Sequence, residues 1–213
     1  PGAEVGFKGL CSIELRVLED RIGDGLKLLS EMLNDTVLDD TERLSELLNE
    51  GKSQQRAAIE GAMHKAAVTR AASYFSDAQR YHDLATGIAY YDFINAASRL
   101  SKQPVHMKRL IKTLKSIRER LFSRERVSFA LYGSRRAKNA MLEALPEFTA
   151  GLSHDDGTRT ETTGRAVSRV SCMNEGFRTS SQVNYVARCG SFRNHGLSYN
   201  GGLQVLRMML SYE

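Results

Sequence analysis

The sequence predicts an α+β chain in which helices pack on a sheet, and three observations carry that reading. Residues 11–18 alternate strictly, with Cys11, Ile13, Leu15 and Val17 on one face and Ser12, Glu14 and Arg16 on the other, the pattern of a half-buried strand. Ile22, Leu26, Leu29 and Leu33 then recur at helical spacing, so that a helix follows directly and must cover the strand. A second alternating run spans residues 177–189, with Val183, Tyr185, Ala187 and Cys189 on one face and Gln182, Asn184, Val186 and Arg188 on the other.

The remaining elements follow in order. Asp39 stands three residues before Glu42, a capping-box pattern that opens a second helix. This helix is expected to run through Leu44, Leu47, Leu48, Ile59 and Met63 as far as Ala72, with Gly51 and Gly61 as weak points. Ser76 and Asp77 form another N-terminal signal, Gly87 a break, and residues 88–100 a further helix before Pro104. Met107, Leu110, Ile111, Leu114, Ile117 and Leu121 make the cleanest amphipathic stripe, opposite a basic face of Lys108, Lys112, Lys115 and Arg118. Residues 127–132 predict a short strand, Gly133 and Ser134 a turn, and residues 135–145 a helix that Pro146 ends.

Between Pro146 and Glu175 the apolar periodicity gives way to Gly, Ser, Thr and Asp, which marks a linker. The expected organisation is therefore a mostly helical unit over residues 1–150, a linker over 151–175 and the start of a second unit over 176–213. In that second unit Asn200 caps a helix opening at Gly201 and Gly202. The amphipathic pattern is still running at the last residues, and the chain opens on Pro1 and Gly2, so it is expected to be a piece of a larger protein.

Composition narrows the function classes. With 41% hydrophobic and 26% charged residues in 213, the chain is that of a folded domain, and no apolar run reaches the length of about 18 residues that spans a bilayer. The net charge of +5 comes from 30 basic residues interleaved with 25 acidic ones, which favours a solvated mixed surface over a nucleic-acid footprint. Cys11, Cys172 and Cys189 are too widely spaced for a zinc or redox pair and point to a reducing compartment.

Chemistry is sparse. His64, His82, His106, His154 and His195 form no H-E-x-x-H or H-x-x-E-H motif, and His64 reads as a helix-packing residue. No nucleophile elbow or phosphate loop is present. Tyr74, Tyr81, Tyr90 and Tyr91 lie at helical spacing and read as core residues rather than a base-stacking platform.

The order of several segments resembles one family. Residues 11–18, 38–44, 61–76 and 87–93 are similar to the third domain of presequence-protease-type, insulinase-like (pitrilysin or inverzincin) zinc metallopeptidases, and residues 182–186 and 202–212 to the opening of their fourth. The resemblance implies partial copies of α/β domain repeats, each a layer of helices on an antiparallel sheet, from a clamshell that closes around unstructured peptides. It also implies a zinc motif H-x-x-E-H in the first domain and an R-x-x-G-G-x-Y element in the fourth that polarises the scissile carbonyl. Neither element occurs here, so no catalytic or metal residue is carried over, and zinc is expected in the parent enzyme but not on this chain. The resemblance places Gln182, Asn184 and Tyr185 near the peptide chamber, where a polar row could bond extended peptide.

The expected function is thus an inactive scaffold region of a zinc peptidase that degrades unstructured peptides. Competing readings are a structural member of the same superfamily and a basic nucleic-acid-binding helical domain. Self-association as a dimer is expected, without nucleic acid or membrane as partners. The expected compartment is the bacterial cytoplasm, or the mitochondrion or plastid of a eukaryote.

Overall fold

A computed structural model describes residues 9–154, 173–179, 182–191, 196, 198 and 200–211. Among these residues the chain forms eight α-helices and one 3-10 turn. The helices are α1 (Ile22–Asn34), α2 (Thr41–Gly61), α3 (Met63–Ala72), α4 (Asp77–Thr86), α5 (Ile88–Leu100), α6 (Pro104–Leu121), α7 (Arg135–Ala150) and α8 (Gly201–Ser211).

The expected α+β fold, with helices layered on an antiparallel sheet, is overturned: no strand or sheet exists among the described residues. Backbone pairing is limited to one isolated parallel bridge between Ser123 and Ser153, where Arg124 N–H donates to the Ser153 carbonyl at 2.9 Å. The alternating runs at 11–18, 127–132 and 182–189 carry no ladder among the described residues. Alternation reports an extended backbone with one packed side, and here a helix supplies that packing. A Cβ placed on Gly25 of α1 would stand 2.9 Å from both Leu15 and Val17, so glycine lets the 11–18 segment lie directly on the helix.

The described residues divide into two compact units. One comprises Lys8–Lys52 with Ile94–Thr163; the other comprises Ser53–Phe93 with Gly164–Glu213. Most of the expected linker 151–175 lies outside the described residues, as do Cys172 and His195.

In the first of these units α1 packs on α7, and Ile22, Leu26, Ala137, Phe148 and Leu152 form the buried core. The ring of Phe129 meets Phe148 edge to face at 5.7 Å, which seats the 127–132 segment on the same core. The α1 stripe is as expected, with Ile22 and Leu26 buried and Leu29 and Leu33 packed against them. Pro146 does not end α7, which runs on to Ala150. Phe148, 5% exposed, lies in that added turn, and its burial offsets the missing N–H and the ring clash that proline brings.

The expected cap of α2 shifts by one residue. Asp40, not Asp39, accepts the Arg43 N–H at 2.9 Å, while Asp39 pairs with Lys115 of α6. Arg118, from the same basic face, donates to the carbonyls of Asn34 at 3.4 Å and Thr36 at 3.2 Å and so satisfies the end of α1. Gly51 does not interrupt α2; a Cβ there would stand 2.8 Å from Ile94 Cδ1, so the glycine admits α5 closely. Ser98 Oγ donates to Asn49 Oδ1 at 2.7 Å along the same contact.

The helix expected to run on to Ala72 instead ends at Gly61, one of its weak points, and α3 begins at Met63. Ser76 Oγ accepts the Gln79 N–H at the start of α4. At its end Gln55 donates its side-chain amide to the carbonyls of Thr86 and Gly87. Asn200 caps α8 by accepting the Gly202 N–H at 2.9 Å. No described helix is long and apolar enough to cross a membrane.

Candidate functional site

Residues 182–191 form an extended strip along α3. The Tyr185 ring stands 6.1 Å from that of His64, tilted by 43°, and the Cys189 thiol donates to the Val68 carbonyl at 3.7 Å. Val186, between those two contacts, is 95% exposed and Ala187 and Cys189 are half-buried, but Val183 and Tyr185 of the expected inner face are 57% and 46% exposed, so the alternation read from the sequence is present only in part. Burial pushes the Cys189 thiol up, which keeps it a neutral thiol and a poor nucleophile.

The three residues singled out from the sequence separate on this strip. Tyr185 makes the contact to α3, whereas Gln182 and Asn184 are exposed on the alternate positions. Both are exposed, and the backbone there carries no ladder among the described residues.

Next to the strip lies an ionic centre that sequence reading did not find. Arg70, near the end of α3, presents Nε and Nη2 to the two carboxylate oxygens of Glu175, each at 2.7 Å, and Nη1 to Asp83 of α4 at 2.9 Å. The guanidinium also lies 5.6 Å from the centroid of the Tyr74 ring. Asp83 is fully buried, and its second oxygen accepts the Ala89 N–H at 3.3 Å. One guanidinium therefore satisfies two carboxylates through a planar fork, a geometry lysine cannot supply. Removing one partner of such a buried pair costs roughly 3–5 kcal/mol because the other charge is stranded.

The charges are tuned to hold rather than to react. The Arg70 hydrogen bonds hold the Glu175 carboxyl below its ordinary value, and the Glu175 bonds raise Arg70 further above the range in which it could lose a proton. Burial pushes the Tyr74 hydroxyl up, and the neighbouring Glu175 carboxylate adds to that shift. The Arg70 and Glu175 shifts both favour the charged pair, and the Tyr74 shift favours its neutral hydroxyl.

A hollow of about 150 Å³ lies beside this centre, lined by Ala58, Ile59, Ala66, Lys65, His82 and Thr86 among others. Its volume falls below the roughly 300 Å³ at which pockets begin to enclose a small-molecule ligand. Among the described residues no three His, Cys, Asp or Glu side chains gather as a metal-binding group.

Residues 4–96 match the family described as the associated region of M16 peptidases, subfamily C. Over those residues the chain is similar to a peptidase-associated region of the M16 type. It is also similar to Protein HypA of Clostridium perfringens (strain 13 / Type A), at 24% identity over 207 residues, which is 97% of this chain and 20% of that protein. The chain therefore spans about a fifth of the length of the curated relative it matches. No solved structure matches.

Proposed function

We propose that this chain serves as a non-catalytic scaffold region within a longer zinc-dependent peptidase of the presequence-protease type, one that degrades unstructured peptides inside a closed chamber. The observation that carries the reading is the match of residues 4–96 to a peptidase-associated family, a region named for its association with the peptidase. The single fifth of HypA that the chain covers agrees with a part that acts beside other domains. An ionic centre in which one guanidinium holds both Glu175 and Asp83 agrees with a supporting role.

On this reading the chain contributes shape and one strip of backbone to the chamber. Gln182 and Asn184 would bond an extended peptide laid along the strip, with Tyr185 anchoring the strip to α3. Zinc and the groups that polarise the scissile carbonyl would come from elsewhere in the longer protein.

The test compares cleavage of a long unstructured peptide by the longer protein, with and without a chelator, against this chain alone. Chelator-sensitive cleavage by the longer protein only is the expected result. Absence of cleavage by either would replace the reading with that of a structural member of the superfamily. Peptide affinity unchanged in a longer protein carrying Asn184→Ala would remove the strip from the binding surface while leaving the scaffold role intact.

A further inference from the structure

The positive charge of the chain is concentrated in one stretch. The whole sequence sets 30 basic residues against 25 acidic ones, whereas from Lys102 to Lys138 the only carboxylates are Glu119 and Glu125. Averaged over the chain the two signs interleave; along this stretch they do not. All of it lies in the compact unit built on α1 and α7.

Part of this charge is used within the fold. Lys115 pairs with Asp39, Arg118 donates to the carbonyls at the end of α1, and Glu125 pairs with His154. Arg124, Arg135, Arg136 and Lys138 are exposed, and among the described residues no side chain pairs with them. The last three stand in the first turn of α7, which contains no acidic residue. The 3-10 turn Glu19–Arg21 packs on α7, yet Glu19 and Asp20 pair with none of them. Cations so placed repel one another and the positive end of the helix dipole, an arrangement that an anion relieves. Three of the four are arginines, whose planar fork binds phosphate oxygens in pairs.

An aromatic side chain stands among these cations. Residues 127–132 are extended, with Val127 and Phe129 packed on the core and Ser128, Ala130 and Tyr132 exposed at the alternate positions. Tyr132 is 105% exposed, so its ring rests on no other part of the fold. A Cβ on Gly133 would stand 3.1 Å from that of Ala137, so the glycine lets the turn after Tyr132 close tightly on the start of α7, where Arg135 and Arg136 stand. A free ring among unpaired arginines is the combination that holds a single-stranded nucleic acid, with cations on the phosphates and the ring stacked on a base.

We propose that residues 124–138 bind single-stranded nucleic acid, with Arg124, Arg135, Arg136 and Lys138 on phosphates and Tyr132 stacked on a base. An acidic peptide would match the charge but would bring no base for the ring. A duplex keeps its bases stacked inside. The inference does not depend on the peptidase reading.

The test is fluorescence anisotropy of labelled oligothymidine and oligouridine of about 20 nucleotides, titrated with the full chain between about 50 and 200 mM salt, beside labelled polyglutamate. Binding of at least one oligonucleotide, weakening steeply with salt, is the expected result, and the tighter of the two names the sugar. Tyr132→Ala is expected to weaken binding about fivefold or more without changing the salt slope. Arg135→Gln together with Arg136→Gln should weaken it and lower the slope of log affinity against log salt by about 1.4. Arg188→Gln, in the other compact unit, removes a charge from an exposed position and should leave that slope unchanged. All these side chains are exposed, and circular dichroism checks that each variant folds. No binding at the lowest salt overturns the proposal, as does oligonucleotide binding indifferent to Tyr132 or to the two arginines. Polyglutamate bound as tightly as the oligonucleotides also overturns it, because the surface would then read charge alone.

Discussion

Gly87→Ala is a small change with a large expected effect, because the backbone of α4 and the buried carboxylate of Asp83 close on that position. A Cβ at residue 87 would stand 2.3 Å from Asp83 Oδ1, 2.8 Å from its Cα and 3.0 Å from its carbonyl oxygen. The backbone there is extended, at φ −98° and ψ −156°, so alanine suffers no conformational strain and the whole effect is one of space. Asp83 cannot swing outward, since it is fully buried and tied to Arg70 and Ala89. Losing the Ala89 bond to a charged acceptor costs about 1.5–3 kcal/mol, displacing packed backbone adds about 1–3, and the stiffer unfolded chain returns about 0.4–1, for a net loss of roughly 2–5 kcal/mol. Thermal unfolding followed by far-ultraviolet circular dichroism should show a fall in Tm on the order of 10 °C for a chain of this size. A fall of less than about 2 °C would refute the reasoning, because Asp83 would then have room that the structure does not give it.

Other predictions concern separate parts of the chain. Phe148→Ala empties the centre of the α1–α7 core and is expected to lower stability by about 3–5 kcal/mol in urea denaturation, against a surface control at Leu142, 55% exposed. Gly61→Ala meets open space and is expected to gain about 0.5–1 kcal/mol, whereas Gly51→Ala drives a methyl into Ile94 and should come out at least about 1 kcal/mol less stable than Gly61→Ala. Glu175 faces Arg70, Arg80 and the Tyr74 hydroxyl, with Asp83 across the shared guanidinium, and its pKa lies below the ordinary 4.5. It binds fewer protons folded than unfolded, so its stabilisation is complete above about pH 4.5 and is lost as pH falls through the folded value; Glu175→Gln should flatten the acid limb of urea midpoint against pH. Met208, Met209 and Leu210 of α8 are 63–78% exposed, and dimer formation is expected in light scattering at high concentration; a monomer would contradict it.

How much was legible differs by element for physical reasons. Helices whose stripe meets the core read directly: Ile22, Leu26, Leu29 and Leu33 are the residues that α1 packs inward. Ser76, Gly87 and Asn200 read correctly because a cap or break is a local event, decided within three or four residues. Pro146 misled because a local rule was overridden at a distance, by Phe148 entering a core made with α1. The Arg70 centre was illegible because α4 inverts the usual pattern, burying Asp83 and leaving Leu84 44% exposed. No periodicity finds a charged residue whose partner lies 105 positions away at Glu175.

The sheet was misread for a reason that bears on the strip itself. A period of two shows that a segment is extended and has one packed side, but it does not say what packs there. Leu15 and Val17 meet the glycine face of α1, and Tyr185 and Cys189 meet α3, while Ile13, Leu15, Val17 and Tyr185 stay 42–48% exposed, so each alternation finds only a partial packing surface and no neighbouring strand among the described residues. The consequence is energetic. A strand in a sheet is held by a ladder along its whole length, whereas a strip on a helix is held by side chains at intervals and keeps its backbone groups for solvent or for another chain. Tyr185 and Cys189 meet α3 through their side chains, and Glu175, earlier in the chain, meets the same helix through Arg70. Contacts spaced at intervals along a helix can thus hold a segment with a period of two in place without pairing its backbone, which is how that period arises here without a sheet.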